Sequence, residues 1–298
     1  MISVNNLTKQ FQNGKGLFDI SFEVQQGEVF GYLGPNGAGK STTIRNLMGF
    51  TRPTSGNAAV FGLDCWEESA KIQREVGYLP GEIAFMDGMN GLEFLKLIQG
   101  MRGMRDNRKR DELIDRFQFD VKTPIRKMSK GMKQKVGIVA AFMHDPQVLI
   151  LDEPTSGLDP LMQQLFIELV LEEKSRGKTI LMSSHIFPEI ERTCNRVAII
   201  KDGRLLTVEK ISDLRAKQRQ VVEVTLSSIE ELNQLKKMNF QFESFNGTTA
   251  SVIVNGDYDT LFRVLSKFHV IGFQIRTMDL ESIFMHYYDR QQKGVVNL

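Results

Sequence analysis

The sequence predicts an α/β domain organised on a parallel sheet, with a small α+β domain after it. Three observations carry this. A glycine-rich run, Gly34-Pro35-Asn36-Gly37-Ala38-Gly39-Lys40-Ser41-Thr42, lies between an apolar run (Val29 to Leu33) and a helix-like stretch (Lys40 to Met48). Short continuous apolar runs such as Val148-Leu149-Ile150-Leu151 alternate with helical stretches, as strands buried on both faces do. From 221 onward the pattern reads β-α-β-β-α-β, the order of a ferredoxin-like sheet.

Composition sets the bounds. A chain of 298 residues suits one large domain with a small companion. A formal net charge of +2, with no long basic run, gives no reason to expect a nucleic-acid partner. Cys65 and Cys194 stand far apart without metal-like spacing and are expected as free thiols. Met1-Ile2-Ser3-Val4 passes straight into a polar stretch, so no secretory leader is expected. The longest apolar run, Val136 to Met143, is far shorter than the ~18–20 residues a bilayer demands.

In order, Val4 to Ile20 reads as strand, turn and strand, with Asn13-Gly14 as the turn. Phe11, just before that turn, is either a half-buried strand aromatic or a platform for a stacked base. Arg52-Pro53-Thr54-Ser55-Gly56 is turn chemistry, Ala58 to Gly62 a strand, and Gly77-Tyr78-Leu79-Pro80 a short strand cut off at Pro80-Gly81. Helical spacing from Leu92 to Phe117, broken by a charged stretch, predicts two helices. Ser129 caps a helix running to about Met143, and Asp145-Pro146 stops it. The strand Val148–Leu151 ends in Asp152-Glu153-Pro154, and Ser156-Gly157-Leu158-Asp159-Pro160 opens another helix. Thr179 to Ser184 is a strand ending at His185, and Arg196 to Leu206 a strand pair turned at Asp202-Gly203.

The polar stretch Arg215 to Gln220 marks a boundary, placed after 217. Beyond it come a strand (Val221 to Leu226), a helix behind a Ser228/Glu231 capping box, and a hairpin turned at Asn246-Gly247. A helix capped by Asp257, a strand from Gly272 to Arg276 and an amphipathic helix bearing Leu280, Ile283, Phe284 and Tyr287 complete the unit. The tail Gln291–Leu298 is expected to fray.

The glycine-rich run fits G-x-x-x-x-G-K-[ST], the P-loop. Its glycines let several backbone N–H groups converge on one anion, and the following helix adds its positive end. In that motif Lys40 reaches the β- and γ-phosphates and the Ser41 hydroxyl ligates Mg²⁺. Asp152, a carboxylate closing an apolar strand, supplies the oxygen that Mg²⁺ needs, and Glu153 can polarise the water that attacks the γ-phosphate. His185 ends the neighbouring strand, at the edge where α/β folds keep their sites.

These motifs together resemble the nucleotide-binding subunit of an ABC transporter, over about residues 1–217. Besides Gly34–Thr42, Met128-Ser129-Lys130-Gly131-Met132 is similar to the family's signature. Ser156-Gly157-Leu158-Asp159 is similar to its coupling loop, and His185 to its switch histidine. The resemblance implies a P-loop NTPase fold of ABC type with a helical subdomain at about 82–145. It implies ATP and Mg²⁺ as ligands, and two such subunits, a homodimer sufficing, closed head to tail around two ATP. Ser129 and Gly131 would face the nucleotide of the second subunit, and Glu153 and His185 would be catalytic. It further implies a separate membrane-spanning permease as partner and a peripheral place on the cytoplasmic face of the membrane. A single ATPase domain with a small α+β extension resembles bacterial drug and antibiotic exporters. The alternative is a soluble ABC ATPase acting on ribosomes or DNA. Two departures stand out: Gly81 where the family has Gln or Glu, followed by Glu82, and Met132 where it has Gln. Slower hydrolysis than in members with both glutamines is the expected consequence.

Overall fold

A strand buried at every position shows neither face to water, and three inner strands of this protein's central sheet are of that kind. The computed structural model describes residues 1–216, 220–254 and 258–277. They fall in two units, Met1–Ile211 and Ser212–Leu298, so the division comes a few residues before the polar stretch where a boundary was expected.

In chain order the first unit runs β1 (Ile2–Gln10), β2 (Gly16–Val24), β3 (Val29–Leu33), α1 (Lys40–Leu47), β4 (Ser55–Val60), β5 (Leu63–Asp64), α2 (Ser69–Glu75) and β6 (Val76–Leu79). It continues with α3 (Gly91–Met101), α4 (Arg108–Phe117), a 3₁₀ turn (Ile125–Lys127), α5 (Lys130–Phe142), β7 (Val148–Asp152) and α6 (Pro160–Ser175). β8 (Thr179–Ser184), α7 (Phe187–Thr193), β9 (Arg196–Lys201) and β10 (Arg204–Lys210) close it, and α8 (Ile211–Ala216) spans the division.

The central sheet has six strands in the order β10-β9-β3-β8-β7-β6, all parallel except the edge strand β10. Every residue of β3, β7 and β8 is buried. A second, antiparallel sheet has the order β2-β1-β4-β5. Its buried Ile2, Val4, Leu7, Ile20 and Val60 share one core with Phe30 and Tyr32 of β3 and with Ile44 and Leu47 of α1. Strand β4 starts earlier than Ala58 and ends at Val60, because Phe61 and Gly62 both adopt positive φ and turn the chain. The short helices α2 and α7 and the strand β5 carry no strong periodicity and were not expected.

Between β6 and β7 the chain inserts α3, α4, the 3₁₀ turn and α5. Asn90 and Glu93 form a reciprocal capping box on α3, and the Ser129 side chain caps α5. The insertion is pinned to α6 by ions. Arg116 holds Glu172 at 2.6 and 2.7 Å, and Lys109 reaches Glu173 at 2.6 Å. Glu173 is buried and also meets the buried Lys178 at 2.7 Å, so its charge is compensated from two sides.

The second unit comprises β11 (Gln220–Leu226), α9 (Ile229–Leu235), β12 (Gln241–Asn246), β13 (Thr249–Val254), α10 (Tyr258–Leu265) and β14 (Val270–Thr277). Its antiparallel sheet has the order β12-β13-β11-β14, the ferredoxin-like arrangement that the element order predicts. Val222, Val224, Ala250 and Val252 pack beneath Leu232 and Leu235 of α9 and Leu261 and Leu265 of α10. The capping box is half made. Ser228 accepts from the Glu231 N–H, but the Glu231 carboxylate turns to the Ser227 hydroxyl and the His269 N–H. The expected Asp257 cap, the helix around Leu280 to Tyr287 and the Gln291–Leu298 tail lie outside the described residues.

Candidate active site

Parallel strands put all their C-terminal ends on one edge. Leu33 of β3 is level with Ser184 of β8, and Asp152 of β7 with Ser183. Gly34–Gly39, Asp152-Glu153 and His185 therefore emerge side by side. The loop needs glycine at two places. A Cβ on Gly34 would meet the Ile200 carbonyl at 2.4 Å, and Gly39 combines a φ of 111° with Leu17 at 2.6 Å from any added Cβ. Pro35, Asn36 and Gly37 are exposed, Ala38 is buried, and Ser41 and Thr42 follow in the first turn of α1.

Lys40 is the buried hub of the site. Its Nζ donates to the carbonyls of Gly34 and Pro35 at 2.8 and 3.1 Å and lies 3.0 Å from Glu153 Oε1. The other carboxylate oxygen, Oε2, lies 3.3 Å from His185 Nδ1. Glu153 thus bridges the Lys40 ammonium and an imidazole. Its backbone sits at φ 47°, a left-handed conformation that costs a non-glycine residue about 1 kcal/mol or more. Ser183 helps to hold it there. The Glu153 N–H donates to Ser183 Oγ at 3.0 Å, while the same hydroxyl donates to Asp152 Oδ1 at 2.5 Å.

Beside this cluster, Glu189 is buried and takes hydrogen bonds from Thr155 and Ser184, the latter at 2.9 Å. Burial pushes its carboxyl above the usual range. Ser183 and Ser184 had no local sequence signal beyond their place at a strand end, and Glu189, within α7, had none.

Phe11 stands in the turn after β1, 42% exposed, with Lys9 Nζ 5.7 Å from its ring centroid. That exposure favours an available ring face over the strand-core alternative. Its turn leads into Gly16 and Leu17, which approach Gly203 and Gly39 respectively. Among the described residues, Ser129 and Gly131 make no hydrogen bond to Lys40, Glu153 or His185. The Ser129 hydroxyl accepts from the Met132 N–H at 3.2 Å, and Gly131 packs on the Gly157 carbonyl. The structure also settles which of Gly81 and Glu82 faces the acidic strand end. A Cβ on Gly81 would lie 3.1 Å from Asp152 Oδ2, whereas Glu82 is exposed and lines a groove of about 440 Å³ with Arg45, Tyr78 and Phe94.

The family model described as ABC transporter matches residues 17–156. The bacitracin transport ATP-binding protein BcrA of Bacillus licheniformis is 35% identical over 251 residues, 82% of this chain and 81% of that protein. The chain belongs to the ABC transporter ATP-binding proteins. The linearmycin resistance ATP-binding protein LnrL of Bacillus subtilis is 34% identical over 238 residues, covering 78% of this chain and 76% of that one. A solved ATP-binding subunit of an ABC transporter superposes with a TM-score of 0.66 at 32% identity, over 72% of this chain and 92% of that chain. A dimeric ATP-binding cassette with ADP and Pi, 23% identical with a TM-score of 0.65 over 71% and 99%, shares the fold.

As an ABC ATPase the protein binds ATP with Mg²⁺ and hydrolyses it. The residues fit that metal. Asp152 offers a buried carboxylate, and Ser41 follows the lysine that touches Glu153. Mg²⁺ takes one or two protein ligands and completes its shell with phosphate oxygens and water, a demand that Asp152 and Ser41 would meet.

Proposed function

We propose that the protein energises an exporter: two copies close head to tail around two ATP, and hydrolysis drives a separate membrane-spanning permease. The observation that carries the reading is Glu153, held between Lys40 and His185 at the end of β7. Lys40 would move from the loop carbonyls to the β- and γ-phosphates. Asp152 and Ser41 would hold Mg²⁺, which supplies charge neutralisation at the phosphates. Glu153 would take a proton from the attacking water, with His185 orienting its second oxygen. Ser129 and Gly131, at the start of α5, would meet the partner's nucleotide. Phe11 would stack on adenine.

Export is supported by relatives named for bacitracin transport and linearmycin resistance. The naming of these relatives as ATP-binding proteins supports a separate membrane-spanning partner, with this chain on the membrane's cytoplasmic face; among the described residues no helix is long and apolar enough to cross a membrane. Gly81 leaves Asp152 without a neighbouring amide side chain. Gly81→Gln is expected to raise turnover several-fold, and unchanged or lower turnover would count against that role for the position.

The decisive experiment uses Glu153→Gln, tagged in the native host and solubilised in mild detergent with ATP. Co-purification of a polytopic membrane protein at near-equal stoichiometry supports the reading. Ribosomal or DNA-bound material without one would replace it with the soluble alternative.

A further inference from the structure

The start of α5 is strapped to the loop behind Glu153 by two side chains. Lys130 Nζ donates to Ser156 Oγ at 2.9 Å. Its methylenes lie against Gly157, where an added Cβ would find Cγ and Cδ at 2.9 and 3.0 Å. Four residues on, along the same helix face, Gln134 is buried. Its Nε2 donates to the Pro154 carbonyl at 2.8 Å and more weakly to that of Glu153 at 3.5 Å. A strained residue stays where its surroundings over-determine it. For Glu153 the surroundings are Ser183 on its N–H, the Ser156 N–H on its carbonyl at 3.1 Å, and this strap.

We propose that Lys130 and Gln134 are positioning residues that transmit the placement of the Ser129–Gly131 end of α5 to the carboxylate of Glu153 in the same chain. This rests on the reading above, in which Ser129 and Gly131 serve the partner's nucleotide and Glu153 the chain's own. A shift of α5 against the partner's phosphate drags the Pro154 carbonyl and Ser156 with it, and so re-aims Glu153. One chain then reports the state of one nucleotide to the machinery acting on the other. Lys130 acts through the Ser156 hydroxyl and Gln134 through the Pro154 carbonyl, and neither touches a reacting atom, so they set turnover and leave ATP affinity alone.

The test uses the purified full chain. Lys130→Met is expected to lower kcat about tenfold while KM for ATP stays within about twofold. Ser156→Ala should lose a similar factor, and the double variant should lose no more than either single one, because both remove the same contact. Lys130→Arg, which keeps a donor, should recover kcat to within about threefold of wild type. In a Glu153→Gln background, Lys130→Met should leave ATP-driven dimerisation intact by size exclusion. Gln134→Met, checked for folding by far-UV dichroism, should repeat the split between kcat and KM. Wild-type kcat in Lys130→Met would overturn the proposal, as would additive losses in the double variant or no recovery with Arg. Loss of dimerisation would overturn it too, because it would place Lys130 on the partner's nucleotide. If the wild-type chain shows neither ATP hydrolysis nor ATP-driven pairing, the proposed function itself falls, which is a different result.

Discussion

The parallel sheet of the first unit and the antiparallel sheet of the second bury their strands in different ways, and the difference decides where chemistry can collect. In β7 and β8 every residue is inside, so ionisable groups have no room along the strands. They gather at the ends, where Asp152, Glu153, Ser183 and His185 meet the phosphate loop. In the second unit, β12 is almost wholly exposed, and Ile271, Phe273 and Ile275 of β14 stay largely open. Its charges pair across the sheet instead, Arg276 with Glu243 at 2.6 Å and with Glu223 at 3.3 Å. A sheet with an open face spreads its polar residues, and one without concentrates them.

If that contrast is right, the largest effects come from the crowded edge. Lys40→Ala and Glu153→Gln should each cut ATP turnover about a hundredfold or more in a steady-state phosphate-release assay, while Arg276→Ala leaves it unchanged. Core truncations come next. Ile150→Ala, wholly buried in β7, should cost about 3–4 kcal/mol, and Val252→Ala in β13 about 2, both by urea unfolding. Val252→Ala should spare turnover in the folded protein; a matching loss of activity would break the comparison.

A third effect depends on pH. Burial, reinforced by Arg102, pushes His144, between α5 and β7, down to about 4 from 6.5. The unfolded chain therefore binds the extra proton first, and stability falls as pH drops from 6.5 toward 4. The loss should be about 2 kcal/mol after allowing for partial solvation, and His144→Leu should flatten that part of the pH–stability curve. Smallest is Arg116→Ala at the α4–α6 contact, expected below about 1 kcal/mol because Glu172 is largely exposed.

What the sequence revealed follows the same division. The phosphate loop and the strand ending in Asp152-Glu153 are contiguous and could be read directly, as could the β-α-β-β-α-β order of the second unit. Gln134, Ser183 and Glu189 could not. Each acts on residues distant in sequence, so nothing local distinguishes a glutamine facing solvent from one holding the Pro154 carbonyl. The direction of position 81 toward Asp152 likewise depended on how the loop leaves β6.

The Lys40–Glu153 pair also makes nucleotide binding an exchange of anions. A triphosphate arriving at the loop must displace a carboxylate from the only ammonium group that the cluster holds among the described residues. Part of its electrostatic gain is thereby cancelled. The displaced carboxylate is the one that would activate water, so the base would be set free by the substrate whose hydrolysis it serves. While the pair is closed, Lys40 holds that carboxylate by its Oε1 and leaves only Oε2 facing His185.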